Sequence, residues 1–374
     1  MSELSYIEKL LDGVEVEWKE LNTLTKVLRG KRLVKSQLSD NEEFPVYHGG
    51  LQPLGYYNSS NRPADTVMII NVGASAGTVG YSSTEFWSSD GCFCIEHSKL
   101  LNNKYLYYVL IGYQHLLRSK VRLAGIPTLD SIIVERLQIP IPPLNVQAEI
   151  VRILDTFTEL TAELTAELTA RQQQYAYYRE QLLTSFNDDK TEIKTLKDIV
   201  IMKAGQHISA SKISANKSTS HIYPCFGGNG IRGFVDEKSH DGSYLLIGRQ
   251  GALCGNVHRM SGEFYATEHA VVVTAKDGIN IDWAFHKLTL MNLNQYASKS
   301  AQPGLAVGKL AGLKVSVPSL DEQKRIAAIL DKFEAITASL TEGLPREIEL
   351  RQQQYEYYRD LLLSFPKPEV VTHD

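Results

Sequence analysis

The segment RQQQYAYYREQLLTSF at 171–186 returns as RQQQYEYYRDLLLSF at 351–365, with eight of the first ten positions identical. That separation exceeds the period of any solenoid or propeller repeat, so the recurring unit is about half of the chain. The likeness extends upstream, where IPPLNVQAEIVRILDTF at 141–157 resembles VPSLDEQKRIAAILDKF at 317–333. Each copy is a proline-ended strand running into a charged helix start. YIEKLL at 6–11 also echoes YREQLL at 178–183, so the chain opens on what looks like the tail of another copy. The two halves then close into a circular arrangement.

Behind each helix start, apolar residues fall three and four apart. The first copy has Ile150, Ile153, Phe157, Leu160, Leu164, Leu168, Tyr175, Tyr178 and Leu182; the second has Ile326, Ile329, Phe333, Ile336, Leu340, Leu344, Ile348, Tyr355, Tyr358 and Leu362. The spacing is a coiled-coil seam broken in each copy by an extra step of four. About 40 helical residues make a rod of roughly 60 Å. The first rod carries Leu-Thr-Ala-Glu units beginning at Leu160 and Leu164 and a truncated third at Leu168. These read either as ordinary helix formers with Glu on the wet face or as a ruler, since four residues lengthen a helix by about 6 Å and rotate the next segment by roughly 40°. The second rod has no such unit, and Gly343 followed by Pro345 predicts a kink or break.

A hydrophobic content of 43% over 374 residues allows packed cores and two or three domains. The N-terminus has Glu3, Glu8 and Lys9 and no apolar run, so neither a signal peptide nor a membrane span is expected, and the protein reads as cytoplasmic. The net charge of -4 hides an uneven distribution. Basic against acidic residues number 14 to 15 in 1–145, 15 to 11 in 188–318, 3 to 6 in 146–187 and 7 to 11 in 319–374. Acidity sits on the rods, and the globular segments together are positive, which permits a nucleic-acid partner. Cys92, Cys94, Cys225 and Cys254 lack metal-ligand spacing and read as buried thiols.

The first globular region, 18–144, opens with KVLRGKRLVK, whose five basic residues are Lys26, Arg29, Lys31, Arg32 and Lys35. The stretch is either a solvated strand edge or a loop that contacts phosphates and releases their counterions. FPVYHGGLQPLGYY at 44–57 and VMIINVGASAGTVGY at 67–81 have strand and Gly-turn character. The GASAG turn lacks the Lys-Ser/Thr of a nucleotide loop. An amphipathic helix over 101–120 leads to Arg118, Lys120 and Arg122, a second candidate for DNA contact.

The second region, 191–318, repeats this order at low identity, with IYPCFGGNGIRGFV at 222–235, YLLIGRQGALCGNVH at 244–258 and AQPGLAVGKLAGLKVSVPSL at 301–320 in matching places. Boundaries agree while interiors diverge, as two recognition modules of different specificity would, or two decayed copies of one structural domain. Arg232, Arg249, Gln250, His258, Arg259, Lys299 and Gln302 are types that can reach base edges in a major groove. His207, His221 and His269 read as structural or surface residues. No nucleophile elbow, HExxH, paired-Cys motif or Lys-bearing phosphate loop is present, so no catalytic or metal residue is assigned.

Two regions each ending in IPIPPL or VSVPSL, followed by a QxEIVxILDxF-like helix that ends in YYR-x-LL, resemble the specificity subunit of type I restriction-modification systems. The Leu-Thr-Ala-Glu repeat and the start SYIEKLLDGVEVEW resemble the subgroup with such repeats between its recognition domains. The resemblance implies an α/β fold of two target-recognition domains, 1–145 and 188–318, separated by a pair of long antiparallel coiled-coil helices, 146–187 and 319–374, with an internal pseudo-two-fold duplication. It implies a bipartite double-stranded DNA site and assembly with methyltransferase and restriction subunits. This chain would hold no cofactor, with S-adenosylmethionine on the partner. Gln147, Ile150, Leu154, Phe157, Gln323, Ile326, Leu330 and Phe333 match the family helix as scaffold positions, and Tyr175, Tyr178, Tyr355 and Tyr358 belong to its YYR end. The alternative is a non-catalytic protein scaffold with a helical spacer.

Overall fold

The computed structural model of the chain describes residues 6–184, 191–251, 253–299, 303–338 and 342–366. It has two compact units, one made of Met1–Leu164 with Ile348–Asp374 and the other of Thr165–Glu347. The dividing point lies inside a single 41-residue helix, Leu144–Thr184, so each unit takes part of it. That helix is rich in Leu, Ala, Glu and Gln and contains neither Gly nor Pro, which is why it runs unbroken. Pro142 and Pro143, lacking backbone N–H groups, separate it from the preceding strand Gln138–Ile141. Among the described residues no helix is long and apolar enough to cross a membrane.

In the first unit, Glu17–Glu20 pairs antiparallel with Gln138–Ile141. The main sheet has the order Val27–Arg29, Cys92–Ile95, Thr66–Ile70, Val79–Ser82, with every pair antiparallel. Thr66–Ile70 is buried on both faces, and its two-residue period sorts its side chains. Val67 and Ile69 join Tyr105, Leu106 and Val109 of helix Asn103–Gly112 in the large core, while Met68 and Ile70 join Phe86, Cys92 and Cys94 in a smaller one. The amphipathic stretch expected as one helix over 101–120 is two, Asn103–Gly112 and Gln114–Ser119. Gly112 is a weak helix former at the joint, and the Gln114 side chain just past it accepts a hydrogen bond from Val79 N–H at 2.9 Å.

The second unit carries a six-stranded sheet ordered Val200–Ala204, Ala270–Ala275, His240–Gly248, Val257–Ala266, Tyr223–Gly227, Gly230–Val235. The same alternation holds there: Leu245 and Ile247 face helix Ile281–Leu290 in the large core, and Leu246 packs with Phe226 and Phe264 on the other side. Glu192–Thr195 pairs antiparallel with Lys314–Val317. The second rod breaks where Gly343 and Pro345 placed a break, into Leu320–Thr337 and Leu344–Leu362. Gly343 has φ +80°, and a Cβ there would lie 2.3 Å from the Ala335 carbonyl oxygen, so only glycine fits. All four cysteines are buried free thiols.

Candidate nucleic-acid interface

The helix starts are locked by one buried glutamine in each unit. Gln147 Oε1 accepts from Asn102 N–H at 2.8 Å, and its Nε2 donates to Leu100 O at 3.0 Å and Pro142 O at 2.8 Å. Gln323 makes the same three bonds, accepting from Asn280 N–H at 2.8 Å and donating to Gly278 O at 3.2 Å and Pro318 O at 2.9 Å. Ile150, Leu154, Ile326 and Leu330 are fully buried beside them. These side chains are core of the chain itself and are not presented to a partner. Aromatic rings continue the packing: Phe157 stacks on Tyr358 with centroids 5.2 Å apart in the first unit, and Phe333 stacks on Tyr175 and Tyr178 at 6.0 and 5.7 Å in the second. Burial pushes the Tyr355 hydroxyl up to about 12.

The basic loops of the first unit lie at a pair of clefts. One, of about 630 Å³, is lined by Arg29, Arg32, Lys35, His48, Asn71, Asp90 and Thr128 among others. The next, of about 590 Å³, shares Arg29, Asn71 and Thr128 and adds Lys120 and Arg122. Lys26, Arg29, Lys31, Arg32, Lys35, Lys120 and Arg122 are all exposed, and among the described residues none of their side chains makes a hydrogen bond or ion pair. Arg118 is the exception on these loops, donating to Thr78 Oγ1 at 2.9 Å. Gly30 fixes the course of the loop, since a Cβ there would sit 2.0 Å from Ser89 O. Sequence reasoning missed Asn71, which lies at both clefts. It is only 3% exposed, and its Oδ1 accepts no hydrogen bond among the described residues. A buried acceptor of that kind needs a donor.

The second unit places its predicted residues less uniformly. Arg232, Gln250 and Lys299 are exposed and Arg249 is half-buried, with no partner for any of the four side chains among the described residues. Gln302 lies outside the described residues. His258 is half-buried with Nε2 unpaired, and burial lowers its pKa. Arg259, expected at DNA, is engaged elsewhere. Its guanidinium bonds the Asp331 carboxylate, lies 3.0 Å from Glu334 Oε2 and 3.4 Å from Asp282, and stacks over the Phe285 ring at 4.0 Å. Buried His286 completes the group, its Nε2 2.8 Å from Asp331 Oδ1. His286, Asp331 and Glu334 form the one set of metal-ligating types brought together among the described residues, but the Arg259 guanidinium already supplies the positive charge there. The arrangement is an internal ion network that ties strand Val257–Ala266 to helix Leu320–Thr337. Arg259 is thereby held for the fold.

The family described as "Type I restriction modification DNA specificity domain" matches this chain twice, over residues 13–171 and 188–350. The chain belongs to this family. The type I restriction enzyme EcoprrI specificity subunit of Escherichia coli is 48% identical over 91% of this chain and 93% of that one. The EcoR124I/EcoR124II specificity subunit, also of Escherichia coli, is 36% identical over the full length of both. These relatives are named specificity subunits, not methyltransferases or nucleases. The S subunit of the type I system of M. genitalium shares the fold, with a TM-score of 0.65 at 17% identity over 96% of this chain and 98% of that structure. As a type I specificity subunit, the chain is the sequence-specific DNA-binding component of its system.

Proposed function

We propose that each unit reads one half of a bipartite DNA site and that the helices fix the unread distance between the halves. The unpaired cations around the first unit's clefts carry this reading, because cations without an internal partner gain most from replacing counterions on a phosphate backbone. Arg232, Arg249, Gln250, His258, Lys299 and Gln302 take the corresponding work in the second unit, with Arg118 in the first, and Arg259 leaves the set. The division into recognition segments 1–145 and 188–318 and helical segments 146–187 and 319–374, an antiparallel coiled-coil pairing and a pseudo-two-fold relation belong to the same reading. The recurrence of the glutamine clamp and of the Phe-on-Tyr stacking supports them. The chain assembles in the cytoplasm with methyltransferase subunits, which carry S-adenosylmethionine, and with a restriction subunit.

In the same reading the chain is one of the repeat-bearing subgroup, and its Leu-Thr-Ala-Glu units act as the ruler. Leu160, Leu164 and Leu168 are half-buried at steps of four in one helix, so an added unit keeps the helix and extends it. One inserted unit gives about 6 Å, roughly one to two base pairs. Methylation-site sequencing in cells carrying the partner subunits tests this: the spacer should lengthen while both half-sites stay the same. An unchanged spacer would refute the ruler.

A further inference from the structure

The first unit holds two large apolar side chains out in solvent on a fastened loop. Leu123 is 77% exposed and Ile126 69%, the two highest values for large hydrophobic residues among those described. They occupy the tip of a hairpin closed by Arg122 N–H to Thr128 O at 2.9 Å and Thr128 N–H to Arg122 O at 3.1 Å. Its base is stapled to the end of a sheet strand by Gly73 N–H to Pro127 O and Leu129 N–H to Asn71 O, both 2.9 Å. The loop therefore cannot fold back to bury its tip. At its root stand Lys120 and Arg122, which have no internal partner among the described residues.

The second unit builds the same staples. Ser298 N–H donates to Gly304 O at 2.9 Å, Gly251 N–H to Pro303 O at 3.0 Å and Leu305 N–H to Arg249 O at 2.8 Å. In that frame Lys299 takes the place of Leu123, and Arg249 that of Asn71. One backbone device thus presents an apolar tip in one unit and a polar residue in the other, which is what a reader with exchangeable contents needs.

We infer that the 122–128 hairpin is a base-reading finger whose Leu123 and Ile126 pack against thymine C5 methyl groups in the major groove, with Lys120 and Arg122 on the flanking phosphates. The major groove presents that methyl as its apolar feature, and an apolar side chain discriminates for it. The free cations at the root favour DNA over an apolar patch on a partner protein. The inference rests on the DNA-reading role proposed above and names the contact.

The test uses the chain assembled with its methyltransferase subunits and duplexes in which each thymine of the recognised site is replaced singly by uracil. The wild-type assembly should bind about fourfold more weakly for a methyl lost beneath the finger, at one or two positions in a single half-site. An assembly carrying Leu123→Gln and Ile126→Gln should bind thymine and uracil duplexes alike at those positions while keeping its salt dependence. Wild-type binding indifferent to every replacement would overturn the inference, as would a recognised half-site with no A·T pair. So would a folded variant that fails to join the methyltransferase subunits, which would make the finger a protein-docking element. A wild-type assembly that binds no duplex would strike down the DNA-reading role itself, a distinguishable result.

Discussion

Gln147→Leu keeps the volume of a fully buried side chain and removes its three hydrogen bonds, to Asn102 N–H, Leu100 O and Pro142 O. An unpaired buried peptide group costs about 1–3 kcal/mol. Asn102 is also the N-cap of helix Asn103–Gly112, its side chain accepting from Lys104 N–H at 2.9 Å and Tyr105 N–H at 3.1 Å, so loosening it frays the helix start. The expected loss is about 3–6 kcal/mol, a fall in Tm of roughly 6–24 °C for a unit of this size. Urea and thermal unfolding followed by circular dichroism read it, and Gln323→Leu repeats the measurement in the other unit. Gln147→Glu should be at least as damaging as Leu at neutral pH, because a buried carboxylate has nothing to donate to the two carbonyls, is repelled by them and is stripped of water without a counter-charge. If both Leu variants unfold within about 1 kcal/mol of wild type, the clamp does not hold the helix starts.

Three further outcomes are expected. Burial holds the His286 imidazole below its ordinary 6.5, ahead of the opposing bond to Asp331 and the adverse charge of Arg259. The unfolded chain then takes up a proton near 6.5 that the fold refuses, so stability falls as pH drops below that value and levels off once the folded form also titrates. Glu334, raised chiefly by burial, gains stability on acidification from above 4.5, and Tyr175, Arg179 and Asp282 also surround the site. The difference between wild type and His286→Asn in unfolding between pH about 5 and 7 isolates the histidine. Arg259→Met should destabilise the second unit by about 1–2 kcal/mol, a value reduced because the guanidinium is about a third exposed, and denaturant unfolding measures it. Arg32→Ala and Lys35→Ala should each lower the slope of log affinity against log salt by about one, whereas Lys238→Ala, whose ammonium is already held by Asp241 and Glu263, should leave the slope alone.

The rods were legible because helix periodicity and self-similarity are local properties: Gln147 with Ile150 and Gln323 with Ile326 match by eye. The break at Gly343 was legible for the same reason, since a positive φ has a residue preference. Unpaired cations could be nominated by type, but their freedom could not. Arg259 and Arg32 look alike in a sequence, and only the packing around strand Val257–Ala266 shows that one is ion-paired with three carboxylates, two of them on helix Leu320–Thr337, and the other with none among the described residues. Asn71 was invisible because the orphaned state of its Oδ1 arises from strands brought together from distant segments. Leu123 and Ile126, in RLAGIP, carried no sign that staples at Gly73 and Leu129 would hold them outside the core.

The staples also explain how such a chain can change what it reads without ceasing to fold. The bonds that staple Pro127 and Leu129 to Gly73 and Asn71, and Pro303 and Leu305 to Gly251 and Arg249, run between backbone groups, so the side chains at Leu123 or Lys299 contribute nothing to them. The glutamine clamps do the reverse: side chains bond backbone at buried sites, and almost any substitution leaves a peptide group unpaired. Positions that hold the frame are thus chemically fixed, and positions that face the ligand are chemically free. The one reading candidate with a carboxylate network of its own, Arg259, sits on a strand facing a helix, where exchange would cost stability. In the proposed reading, specificity belongs to residues whose replacement the fold does not register, and the finger tips meet that condition while the clamps and the Arg259 network do not.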